Sequence, residues 1–216
     1  FYSPVLGSRM YAIRKSDLKL FTPDAQSVCR IMDGSTNDYL LEGRAIEEFL
    51  KTIEPNYNLA LENLASGKVD EKCIYTIAGF VSYVIACSPT GMRIQSEPLR
   101  STLEVEAEMM DAKGLLPPPP PELGGTSLSE LLESKAINFK IDPKYPQAIG
   151  ISTVLKNTAL FGNFQWEVLH NECGHTPFFS SDFPVALEKT NDPRIFNRIV
   201  PLAPNLALRI KPDPAI

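Results

Sequence analysis

Apolar residues recur at three- and four-residue spacing from Ile46 to Leu64, taking in Phe49, Leu50, Ile53, Tyr57, Ala60 and Leu61, and so form one helical stripe. Pro55 lies inside the stripe, which predicts either one kinked helix or two short helices that meet there, with Gly67 as the stop. Residues 70–87 form the most apolar segment and close on Ser88-Pro89-Thr90-Gly91, and the run 74–87 within them has the pattern of a buried core helix. A third helix is expected over about 95–113, polar and acidic, with Glu104, Glu106 and Glu108 around Met109 and Met110. Ser127 and Glu130 have the spacing of a capping box that opens a short helix. Residues 146–160 read as one further helix, with Pro146 in its first turn.

The period shortens toward both ends. Residues 9–14 and 26–32 read as short strands separated by the turn Thr22-Pro23-Asp24. After Gly162 the segments QWEVLHN, PFFSS, PVALE, RIVPL and LALRIK follow one another as strands. The first two would pair as a hairpin around Asn171-Glu172-Cys173-Gly174. A helical middle with β segments at each end predicts an α+β fold, its antiparallel sheet built from strands near both termini.

Length and composition narrow the picture. The chain has 216 residues, enough for a single domain with a sizeable core. It begins at Phe1 and stops soon after Lys211-Pro-Asp-Pro214, which gives a domain trimmed at both ends. Five consecutive prolines, Pro117–Pro121, cannot join a helix or a sheet ladder, so about 114–126 is expected to be a stiff surface loop. That loop is also the place where a protein partner could dock. A net charge of −5 argues against a nucleic-acid groove, which needs clustered cations; Arg93 with Arg100 is the nearest basic pair. The longest apolar run, residues 74–87, has 14 residues, short of the about 20 needed to span a membrane. Four scattered cysteines without a C-x-x-C pair fit a reducing, cytoplasmic setting.

Candidate chemistry concentrates in a few places. In FFSSDFPVAL, residues 178–187, Ser181 and Asp182 stand between two apolar runs, and Pro184 restricts Phe183 to extended geometry. Short polar side chains there stop a ladder by bonding nearby backbone, which makes a structured corner. Asp182 is equally a candidate catalytic carboxylate. Glu47 and Glu54 lie seven residues apart on one helix face, at the margin of the core stripe, and with Asp182 could hold a divalent metal that activates water. Glu47 also has Lys51 at i+4, an ordinary surface pair. His170 and His175, with Glu172 and Cys173 between them, are the other possible divalent-metal ligands. Arg93 and Ser181 are the candidate binding residues. No nucleophile elbow or glycine-rich phosphate loop is present.

Three segments together resemble domain of unknown function 4238, a mainly bacterial family. They are Trp166-Glu-Val-Leu169, Pro177-Phe-Phe-Ser-Ser-Asp-Phe-Pro-Val185 and Arg198-Ile-Val-Pro-Leu-Ala-Pro-Asn-Leu-Ala-Leu208. Glu47 to Glu54 and Ser88-Pro89-x-x-x-Arg93 extend the resemblance over most of the chain. The family usually opens with a His-His-Tyr motif that is absent here, and it carries no established activity. Two functions follow as expectations. One is a non-catalytic binding or regulatory domain that uses the proline loop and the acidic 104–108 face. The alternative is a metal-dependent hydrolase or nuclease-like enzyme that uses Asp182 and the helix carboxylates.

Overall fold

The computed structural model describes residues 5–7, 9–28 and 34–213. Its chain order is a small hairpin, a run of helices, and a four-stranded sheet. The α+β expectation is met, with strands near both termini, though they form two antiparallel sheets rather than sharing one.

The first sheet is the hairpin of β1 (Ala12–Ile13) and β2 (Leu20–Phe21), in which Ile13 pairs with Leu20. Residues 26–32, expected as a strand, begin instead within α1 (Ala25–Val28); residues 29–33 lie outside the described residues. The local cause is Asp24, whose carboxylate accepts from the Ser27 backbone N–H at 2.8 Å and its hydroxyl at 2.6 Å, an N-cap arrangement.

The stripe from Ile46 to Leu64 resolves into α2 (Ala45–Ile53) and α3 (Tyr57–Ala65), joined by a 3-10 turn over Glu54–Asn56 that accommodates Pro55. Gly67 stops the run at φ +73°, where a β-carbon would be strained. Helix α4 (Glu71–Cys87) is the central element and is buried on nearly every side. Asp70 caps it, and the buried Thr76 and Ser82 hydroxyls donate to Lys72 and Ala78 carbonyls at 2.8 Å, so neither polar group is orphaned.

Ser88-Pro89-Thr90-Gly91 closes α4 as expected, but the next helix begins there rather than at about residue 95. Helix α5 (Pro89–Ala112) starts there, because Ser88 ends α4 and its hydroxyl also accepts from the Gly91 N–H at 3.0 Å. Proline at the first helical position suits that start. The helix axis turns by 54° between the two. After the proline loop, α6 (Leu128–Glu133) opens on the expected capping box. The single helix expected over 146–160 is broken at Thr153 into α7 (Lys144–Ser152) and α8 (Val154–Asn163). Packing explains the break. Gly150 lies so close to α4 that an added β-carbon would stand 2.6 Å from Ala86 Cβ, which sets α7 tightly against α4 just before the break.

The second sheet contains β3 (Gln165–His170), β4 (Ala186–Lys189), β5 (Phe196–Ala203) and β6 (Leu206–Lys211), in the order β3-β6-β5-β4 and fully antiparallel. Val168 lies opposite Leu208 and Trp166 opposite Ile210. The expected hairpin between QWEVLHN and PFFSS does not form; β3 pairs with β6 and stands at the edge of the sheet. Asn171 turns the chain away by accepting from the Cys173 N–H at 2.9 Å, and Phe178 keeps one backbone bond, to Pro204 O at 2.8 Å.

One face of this sheet packs Val200, Leu208 and Ile210 against Ile77 and Val81 of α4, Leu64 of α3 and Phe161 of α8. A second cluster joins Ile46, Phe49 and Ile53 of α2 to Ala86, Ile151 and Val154. Helix α4 contributes to both clusters. Each large aliphatic side chain buried in this way contributes about 1.5–3 kcal/mol. Among the described residues no single helix is long and apolar enough to cross a membrane.

Candidate functional site

The corner at residues 180–185 has the shape its sequence suggests. Ser181 Oγ accepts from the Phe183 N–H at 3.2 Å, and the Val185 N–H donates to Phe183 O at 2.9 Å. Asp182 is thereby aimed at two distant segments. One carboxylate oxygen accepts from the ammonium of Lys15, in the turn of the β1–β2 hairpin. The other accepts from the Thr90 hydroxyl at 2.8 Å, in the first turn of α5. Lys15, and after it Thr90, hold the Asp182 carboxyl below its ordinary value. The side chain is still 52% exposed, so solvent screens the pair. Asp182 therefore ties the hairpin, the head of α5 and the β3–β4 connection together.

The other sequence-selected residues do not join it. Glu47 stays on the surface of α2 between Arg44 at 3.5 Å and Lys51 at 3.7 Å. Glu54 is exposed at the start of the 3-10 turn. His170 is exposed at the end of β3, and His175 is exposed in the connection that follows. Among the described residues no three or more His, Cys, Asp or Glu side chains come together to hold a metal ion. Neither carboxylates Asp182, Glu47 and Glu54 nor the His170–His175 segment supplies the convergent donors that a metal-activated water needs. Arg93 is exposed on α5, three residues beyond Thr90. Cys173 is an exposed thiol, which the Thr176 hydroxyl and the His175 backbone N–H hold below its ordinary value.

Two features escape the sequence reading. The first is an open hollow of about 250 Å³ lined by Thr36, Asp38, Tyr39, Asp142 and Lys144. A buried amide pair braces it. Asn37 donates to Gln147 Oε1 at 3.0 Å and to Lys144 O at 2.7 Å, and Gln147 donates to Gly34 O at 2.9 Å. Tyr39 OH donates to Asp142 at 3.1 Å. The second feature is a ladder of charges on the solvent face of the sheet, where Arg209 links Glu167 at 3.0 Å to Glu188 at 2.9 Å.

The acidic face of α5 is larger than its sequence suggests. Over residues 101–112 only Ala107 is buried, while Leu103, Val105, Met109 and Met110 are exposed. Gly114 at φ +63° ends the helix, with Leu115 N–H donating to Met110 O at 2.9 Å. The five prolines that follow are all exposed, and Pro120 has the extended geometry φ −57°, ψ +139°. Helix α6 returns alongside, held by the Ser129 N–H on Asp111 at 3.0 Å. Residues 101–134 thus form an arm with seven carboxylates and one lysine, net −6, against −5 for the whole chain.

Comparison of the chain with protein-family models, with curated proteins and with solved structures gives no match.

Proposed function

We propose that this protein is a non-catalytic binding domain whose contact surface is the arm of residues 101–134, and that it takes a basic, amphipathic segment of a partner protein. The observation that carries this reading is the coincidence of exposed Leu103, Val105, Met109 and Met110 with seven carboxylates on one helix and its return. Exposed apolar side chains set among charges are a usual mark of an interaction site; here Leu103 with Met110 and Val105 with Met109 fall on two sides of the helix by their spacing. Methionine side chains adapt to varied apolar partners. Net negative charge steers cations toward the arm and repels acidic competitors. The exposed proline run adds a stiff, extended edge that loses little entropy on binding.

The test is fluorescence anisotropy with a labelled, lysine-rich amphipathic helical peptide. Binding is expected at low salt, weaker at high salt, and reduced at least tenfold in Glu106→Lys/Glu108→Lys. Deletion of Pro117–Pro121 is expected to weaken binding without lowering the melting temperature. A peptide that binds the charge-reversed protein equally well overturns this reading.

A further inference from the structure

The end of the molecule opposite the arm carries the complementary surface. Residues 9–21 contain Arg9, Arg14, Lys15 and Lys19 against Asp17, a net charge of +3 that Asp182, paired with Lys15, lowers to +2. On the same hairpin Tyr11 and Ile13 share a strand face by their two-residue spacing, and Ile13 pairs directly with Leu20. All three side chains are exposed, Leu20 at 60%. The hairpin is thus both basic and apolar, the chemistry that the acidic arm is proposed to take.

The hairpin cannot reach the arm of its own chain. Lys15 is fixed on Asp182, and Asp182 on Thr90 in the first turn of α5. Met109 lies 19 residues farther along that helix, about 28 Å at 1.5 Å per residue. Helix α5, which carries Pro98 in its interior, therefore sets the two complementary surfaces near its opposite ends.

We infer that the basic hairpin of one copy docks on the acidic arm of a second copy, so that the protein self-associates head to tail. This rests on the reading of the arm as a binding surface and names a second copy of the chain as its occupant. Such an interface uses two different patches, so it propagates into open chains or closes into a ring, rather than stopping at a two-fold dimer. Because both patches are charged and exposed, the association weakens as salt shortens the range of their attraction.

Sedimentation velocity of the full chain over a range of concentrations and salt tests this. The weight-average mass is expected to rise with concentration at low salt and to return to the monomer value at high salt. Arg14→Glu/Lys19→Glu turns the hairpin acidic, and Glu106→Lys/Glu108→Lys cuts the net charge of the arm from −6 to −2; each variant alone is expected to remain monomeric. An equal mixture of the two is expected to assemble again, since each supplies the patch the other needs. Far-UV circular dichroism and melting curves check that both variants stay folded, and the salt series on the unaltered chain needs no variant.

Assembly that survives both reversals, or a mixture that stays monomeric, overturns the proposal. A chain that is monomeric at every concentration but still binds the basic peptide removes self-association and leaves the arm reading intact. If the peptide also fails to bind, both fall together.

Discussion

Replacing Asp182 by Asn keeps the size of the side chain and removes its charge, so it isolates what the carboxylate does. Two contacts are affected, the Lys15 ion pair and the 2.8 Å bond from Thr90. An amide oxygen can still accept from Thr90, so the main loss is the ion pair. With the carboxylate 52% exposed, that pair contributes about 0.2–1 kcal/mol. For a chain of this length the melting temperature then falls by at most about 4 °C. The local effect is larger than the global one. The hairpin rests on a few bonds, among them Arg14 N–H to Lys19 O at 3.0 Å and Met10 N–H to Pro23 O at 3.0 Å. Losing up to about 1 kcal/mol of anchorage raises its open population by as much as fivefold. Hydrogen exchange read by mass spectrometry at pH 7 is expected to speed up by about two- to fivefold over residues 10–21 and not at all over α4. The pH dependence has a definite sign. The folded carboxyl titrates below the ordinary aspartate value of about 3.9, so its contribution is present above that value and is lost as pH falls through the lower folded value. Amide shifts of Lys15 and Thr90 should therefore hold constant from pH 7 to about pH 4 and move only below it. A variant whose melting temperature falls by more than about 10 °C, or whose hairpin exchange is unchanged, refutes the latch.

Three further outcomes test the packing and the thiols. Gly91→Ala gains about 1 kcal/mol of helix propensity. The new β-carbon would stand 2.2 Å from the backbone oxygen of Ile85, though, so a net loss of about 1–3 kcal/mol is expected, and a raised melting temperature contradicts it. Asn37→Ala strands the buried Gln147 Oε1 and removes a donor from Lys144 O; chemical denaturation should show a loss of about 1–3 kcal/mol, and an unchanged urea midpoint shows that the amide pair does not brace the hollow. In the folded protein at pH 8, a thiol reagent followed by peptide mapping should modify Cys173 well before Cys87, whose thiol burial pushes up to about 12; equal rates contradict the structure.

What the sequence made legible was local. The capping box at Ser127 and Glu130 needs four residues, and the break at Pro55 needs one, so both stand where the pattern put them. The errors arise where a distant partner decides. PFFSS has strand composition, yet β3 finds its ladder partner in β6, where Leu206 lies opposite His170 from 36 residues away. The break at Thr153 answers to the approach of Gly150 to Ala86, 64 residues away. Asp182 stood out as a residue to watch, yet its role depends on Lys15 and Thr90, 167 and 92 residues away, which no spacing rule connects. The acidity of the arm, by contrast, was plain in the composition. Its meaning changed with a single boundary. With α5 starting at about residue 95, the acidic face is an isolated surface. Started at Pro89, the same helix, with Pro98 inside it, carries Asp182's partner Thr90 at its head and Met109 near its tail, so one element joins a basic apolar hairpin to an acidic apolar arm. The polarity of the molecule is a property of that helix, and it emerges only because Ser88 ends one helix and caps the next.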